Sequence, residues 1–170
     1  MLPIGYMLIM IVSILLCQSC KKEKQILNNT NPTVGIINYS DCKQKNGSYT
    51  DSVSPAQSCI NYLLSNDTLF ITHVNTAFNC CFDTILIEFS TSADTLEIGE
   101  VESLDVPCDC NCLFDLNIFI AEVSPGDYFF RFVEPYIGGS DEKLEFEVNL
   151  QENVPGTFCV TRNNYPWGIF

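Results

Sequence analysis

Residues 143–150 read Lys-Leu-Glu-Phe-Glu-Val-Asn-Leu, four apolar residues alternating with four polar ones. An extended chain turns successive side chains to opposite faces, so this segment has one face for a core and one for water. The same period-two pattern recurs in Asp94-Thr95-Leu96-Glu97-Ile98, and Phe114, Leu116, Ile118 and Ile120 form another inward stripe. Thr84-Ile85-Leu86-Ile87-Glu88-Phe89 reads as a strand buried on both faces, and Ser92-Ala93-Asp94 as a hairpin turn after it. Further strands are expected at 34–39, 59–64, 68–78 and 157–162. Turn residues punctuate these runs at intervals of roughly 8–12 positions, the spacing of an all-β chain. No segment combines helical caps with a period of about 3.6.

Ser124-Pro125-Gly126-Asp127 is a strong turn signal, and Tyr128-Phe129-Phe130-Arg131-Phe132-Val133 follows it. A Pro-Gly turn leading to a Tyr at the start of a strand resembles the corner of immunoglobulin-like sandwiches. There the Tyr hydroxyl bonds back to the backbone of the preceding loop. The other reading is an ordinary hairpin with an aromatic cross-strand pair. The expected fold class is all-β, an immunoglobulin-like two-sheet antiparallel sandwich of eight or nine strands, with Leu144, Phe146, Val148 and Leu150 buried. It occupies 34–170 as a single domain, of which 34–66 reads as an irregular N-terminal part.

The N-terminus reads differently. From Tyr6 to Leu16 only Ser13 is not strongly apolar. The run is shorter than the roughly 20 residues a spanning helix needs, and has the length of a secretory apolar segment. Ser19-Cys20 follows it closely and resembles the bacterial lipobox, in which the Cys is acylated and becomes the first residue of the mature protein. Cys17 stands where that motif usually has Leu. Acylation at Cys17 itself would put bulky Leu16 at the cleavage position, so Cys20 is the expected lipid site. Residues 1–19 are then a lipoprotein signal peptide, and polar, Asn-rich 20–33 a flexible tether.

The chain carries 8 Lys and Arg against 21 Asp and Glu, a net charge of −13. Binding to phosphate backbones needs clustered cations, so nucleic acid is not an expected partner. The membrane is expected to be reached through lipid, since several acyl chains anchor stably where one is marginal.

Eight cysteines follow position 40: Cys42, Cys59, Cys80, Cys81, Cys108, Cys110, Cys112 and Cys159. An even count in an exported chain reads as a disulfide framework, though eight cysteines allow roughly a hundred pairings. Bridges are expected between Cys80/Cys81 and Cys108/Cys110/Cys112, with Cys42–Cys59 holding the N-terminal part and Cys159 taking the remaining cysteine of the cluster. If their strand starts early enough, Cys108, Cys110 and Cys112 share the face of Phe114 and Leu116. The competing reading is a soft-metal or thiol-redox site built from the same cluster with His73.

His73, the only histidine, lies in Thr68-Leu69-Phe70-Ile71-Thr72-His73-Val74 without a nucleophile motif. A hydrogen-bonded strand histidine is expected rather than a general base. Glu97, Glu100, Glu102, Asp105, Asp109 and Asp115 lack the spacing of a Ca²⁺ loop and read as solvated faces and turns. Four tripeptides, beginning at Asp51, Asp67, Asp83 and Asp94, match a short O-glycosylation pattern, with Ser52 the chosen candidate. The aromatic end, Tyr165-Pro166-Trp167, is expected to cover a sheet edge rather than stack on a ligand.

Several segments together look like uncharacterised, secreted lipoproteins of Bacteroidetes type. They are Phe78-Asn79-Cys80-Cys81, Cys110-Asn111-Cys112-Leu113-Phe114-Asp115-Leu116, Gly126-Asp127-Tyr128, Glu134-Pro135-Tyr136 and Phe158-Cys159-Val160 with Tyr165-Pro166-Trp167. The resemblance implies export and a compact β domain, and brings no activity or functional residue. The expected function is a non-catalytic binding or assembly module of the cell envelope, an outer-membrane lipoprotein with a protein or glycan ligand and no cofactor. The alternative is an envelope metal-binding or thiol-redox protein.

Overall fold

The computed structural model describes residues 32–43, 53–139, 141–163 and Pro166. Cys20, the tether up to residue 31, Ser52 and the aromatic pair Tyr165 and Trp167 lie outside the described residues.

Nine strands run through the described part, with no helix among them. They are β1 Val34–Tyr39, β2 Gln57–Ser65, β3 Thr68–Asn79, β4 Thr84–Ser92, β5 Thr95–Ser103, β6 Asn111–Ala121, β7 Gly126–Val133, β8 Glu145–Leu150 and β9 Gly156–Thr161. They form two sheets, one in the order β1-β6-β3-β2-β9 and one in the order β4-β5-β7-β8. This is the expected immunoglobulin-like sandwich architecture, with a strand order of its own. Two regular strands, β1 and β2, occupy much of the stretch read as irregular, 34–66.

The pairing is mostly antiparallel, and β5 with β7 is the exception. Its cause is connectivity. The chain leaves β5 for β6 in the opposite sheet and returns as β7 beside β5, so two reversals leave the two strands running the same way. That path also decides the reading of Tyr128. β6 and β7 lie in different sheets, so they are not a hairpin. The Tyr128 hydroxyl donates to the Ser124 carbonyl at 2.9 Å, closing the corner as in immunoglobulin-like domains.

Local chemistry sets the true hairpins. β2 and β3 are joined by Asn66-Asp67, both with positive φ (50° and 56°), residue types that tolerate the left-handed conformation of a two-residue loop. Ala93 takes φ 55° in the β4–β5 turn, as Ser92-Ala93-Asp94 predicts. In β3 the register shifts between His73 and Thr76, with Asn75 at φ 63°. This bulge changes the parity of the strand: Leu69 and Ile71 join the main core before it and Phe78 after it, while Ala77 packs in a separate cluster with Leu113.

The core fills from both sheets. Leu144, Phe146, Val148 and Leu150 are all buried, as their alternation predicts. Phe146 of β8 stacks on Phe158 of β9 at 4.2 Å, and Phe130 meets Tyr62 edge-on at 5.9 Å; both pairs join one sheet to the other. The stretch read as buried on both faces, 84–89, is instead an edge strand, with Ile85 buried and Leu86 53% exposed. Its apolar run faces a core on one side only, because among the described residues no third layer covers that sheet.

Phe130 is fully buried and touches the rings of Tyr62, Phe132 and Phe146. Replacing it by Ala should cost about 3–5 kcal/mol. Urea unfolding of Phe130→Ala should show a lower midpoint at unchanged slope, and a loss within experimental error would contradict this packing.

Candidate functional site

Four disulfides staple the sandwich: Cys42–Cys112, Cys59–Cys159, Cys80–Cys110 and Cys81–Cys108. The expected links between Cys80/Cys81 and the later cluster are both present. The expected Cys42–Cys59 bridge is not formed, and Cys159 does not join the cluster. The reason is non-local pairing. Cys59 of β2 lies directly opposite Cys159 of β9, with Cα atoms 4.1 Å apart. β1 runs antiparallel to β6, with Tyr39 opposite Leu116, so the residues after β1 arrive beside Cys112 at the start of β6.

β6 begins at Asn111, so Cys108 and Cys110 precede the strand and only Cys112 shares the inward stripe. Asn79 organises the loop they occupy. Its side-chain oxygen accepts from the backbone N–H of Cys81 and Cys108 (3.0 and 3.1 Å), and its amide donates to the Cys108 carbonyl (2.8 Å). Cys80 N–H donates to the Cys110 carbonyl at 3.1 Å. Held this way, the sulfurs of Cys42, Cys80 and Cys112 lie within 4.8 Å of one another, and those of Cys80 and Cys112 are 3.4 Å apart.

A second cluster lies between the sheets. His73 Nδ1 is 2.6 Å from Glu100 Oε1, and its Nε2 is 2.7 Å from Ser58 Oγ and 3.8 Å from Glu134 Oε1. Thr76 Oγ1 donates to Glu100 Oε2 at 2.6 Å. Arg162 donates to Glu134 Oε1 at 2.6 Å and also to Oε2, and its other terminal nitrogen reaches the Glu142 carbonyl. Ser58, His73, Thr76 and Glu100 are at most 2% exposed, Arg162 3% and Glu134 6%. With all four ionisable groups charged, two cations face two anions and the cluster sums to zero. An unbalanced charge there would carry a desolvation cost of several kcal/mol.

Burial pushes the His73 imidazole down, but the carboxylates of Glu100 and Glu134 outweigh it and hold its pKa above the ordinary 6.5. Burial raises the Glu134 carboxyl above 4.5, against the opposing pull of His73 and Arg162. When protonated, His73 has a donor on each ring nitrogen, one facing Glu100 and one facing Ser58. That reverses the polarity of a hydrolytic Ser-His-acid chain, where a neutral imidazole accepts the serine proton. Ser58 is 0% exposed.

The expectation of a hydrogen-bonded strand histidine therefore holds. The reading of the acidic residues as solvated does not hold throughout. Glu100 is buried, and Asp115 takes an ion pair with Lys43 at 2.6 Å. Glu102 accepts from Asn79 N–H at 2.8 Å and from the Tyr136 hydroxyl, and burial followed by Glu102 raises the pKa of that hydroxyl. Ser58, Glu134 and Arg162 were not among the expected site residues. Their signal is strand parity: each continues the inward series of its strand, Ser58 with Ile60, Glu134 with Phe130 and Phe132, Arg162 with Phe158 and Val160. Of the glycosylation tripeptides within the described residues, Thr84 is exposed while Thr68 and Thr95 are half-buried.

Comparison with protein families, curated proteins and solved structures gives no match.

The pKa of His73 and that of Glu134 both lie above their ordinary values, so the folded chain binds these protons more tightly than the unfolded chain. Their stabilisation is present below the unfolded values and is lost as pH rises through the folded ones. Melting temperature should therefore fall as pH rises from about 6.5, where His73 begins to titrate in the unfolded chain. His73→Gln should remove that part of the decline, and an unchanged pH profile in the variant would contradict the assignment. Arg162→Met leaves Glu134 buried beside fewer positive charges and should cost about 3–5 kcal/mol, read by urea unfolding at neutral pH.

Proposed function

We propose that the chain is a lipid-anchored, non-catalytic module of the cell envelope, an outer-membrane lipoprotein held through Cys20, whose sandwich binds a protein or glycan ligand. The observation that carries this reading is the sealing of the Ser58-His73-Glu100 chain: the one histidine serves the interior, and the outer faces are left to meet a partner. The five-stranded sheet offers such a face. Leu63, Phe70 and Phe119 lie in one row across β2, β3 and β6, with Phe70 41% exposed. Beside them runs a polar row. Thr157 donates to Asn61 at 2.8 Å, Thr72 to Asn117 at 2.6 Å and Asn117 to Asn38 at 2.7 Å. Side chains that hold one another in place lose little further entropy when a ligand docks, which favours recognition by a flat polar and aromatic surface. The disulfide framework agrees with an oxidising compartment outside the cytosol.

A second reading, metal binding or thiol handling, is favoured by the approach of the Cys42, Cys80 and Cys112 sulfurs. Metal content and a free-thiol count on the purified mature protein separate the two readings.

Palmitate labelling in cells tests the anchor: Cys20→Ala should lose the label and leave the membrane fraction, and continued labelling would overturn acylation at Cys20. A fluorophosphonate probe tests the non-catalytic claim. The native protein should remain unlabelled, and labelling that disappears in Ser58→Ala would contradict it.

A further inference from the structure

The Cys80–Cys110 and Cys42–Cys112 disulfides are neighbours, and their nearest sulfurs, on Cys80 and Cys112, lie 3.4 Å apart across two different bonds. Cys112 is therefore within reach of either Cys42 or Cys80. The backbone fixes this meeting point independently of the bridges. Cys112 stands opposite Phe78 in the β3–β6 ladder, Cys80 is tied to the Cys110 carbonyl, and Lys43, next to Cys42, donates its N–H to the Leu113 carbonyl at 2.8 Å. Cys110 is the exposed member of the four, Cys80 and Cys42 are half-buried, and Cys112 is buried.

We infer that these four cysteines form a thiol–disulfide relay, in which a thiol arriving at the exposed Cys110 is converted into a free thiol at Cys42. A low-molecular-weight thiolate attacks Cys110 Sγ. A mixed disulfide forms on Cys110, the Cys80–Cys110 bond breaks, and its electron pair leaves on Cys80 as a thiolate. The Cys80 thiolate then attacks Cys112 Sγ. The Cys80–Cys112 bond forms, the Cys42–Cys112 bond breaks, and Cys42 leaves as a thiolate that takes a proton from water. One thiol is consumed and one is produced, and two disulfides remain two: the mixed disulfide on Cys110 and the new Cys80–Cys112 bond. The held geometry makes the second step intramolecular, which favours it over attack by a second external thiol. The consequence is local: the bond tying the segment after β1 to β6 opens, while β3 and β6 remain bridged.

The relay rests on the thiol-handling reading and does not depend on the ligand-binding one. Cys110→Ser tests it in the full mature domain, purified without reductant, quenched in acid, labelled with N-ethylmaleimide and mapped as peptides. The expected result is label on Cys42 together with peptides joined through Cys80 and Cys112. Label confined to Cys80, with Cys42–Cys112 intact, would overturn it. Cys42→Ser is the reciprocal variant and covers misfolding of the first: label should fall on Cys110 with Cys80–Cys112 joined, and label on Cys112 with Cys80–Cys110 intact would overturn the relay. In the unaltered protein, glutathione should give an adduct on Cys110 and label on Cys42. Paired label on Cys80 and Cys110 would overturn the relay alone. No label on any of the four would overturn both it and the thiol-handling reading.

Discussion

The balance of charge among His73, Glu100, Glu134 and Arg162 is the constraint on which the rest of the sandwich depends. These side chains come from β3, from β5, from the residue after β7 and from the residue after β9, so no single hairpin can assemble them. His73 and Glu100 join the two sheets through a 2.6 Å contact, and Arg162 and Glu134 do so again. Each ion would be costly to bury alone; with all four ionised the charges cancel, and the groups hydrogen-bond one another in pairs. The sheets can close over this region only in the register that brings all four together. A buried ionic cluster is a weak source of net stability, but a misregistered sandwich would strand charge in its core.

The chain's own alternation made most of the fold legible. Strands with one buried face, such as Leu144 to Leu150, announce themselves because the pleat has a period of two. The Asn66-Asp67 hairpin and the Tyr128 corner follow from local turn chemistry. What stayed hidden was non-local: which strands pair, that β7 runs parallel to β5, and that Cys59 faces Cys159. Alternation names the face a residue presents and not its neighbour across the sheet. The interior charges were hidden for a related reason. Glu100, Glu134 and Arg162 fall on the inward parity of their strands, yet an acidic or basic residue at a strand end ordinarily faces water. Only the presence of opposite charges from other strands makes the inward position tenable.

The bridges complement this interior. Cys59–Cys159 ties two neighbouring strands on the outer side of the five-stranded sheet, while the other three gather at one end, where β3 finishes and β6 begins. In the loop-entropy account, bridges that close stretches of 70 and 100 residues contribute on the order of 4–5 kcal/mol each. The chain thus spends its polar chemistry on holding itself together, with the charges inside and the sulfurs at the rim, and presents broad sheet faces outside.

The protonation state of His73 tests that account most directly. A hydrogen–nitrogen correlation spectrum of the imidazole ring in the folded protein at neutral pH reads it without perturbing the core. The account predicts an imidazolium with a proton on each ring nitrogen, both slow to exchange with water, because with Glu100 and Glu134 both ionised a neutral cluster needs the second cation, and the ring is fully buried. A neutral ring carrying a single proton would contradict it: with both carboxylates ionised, the core would then hold an unbalanced negative charge.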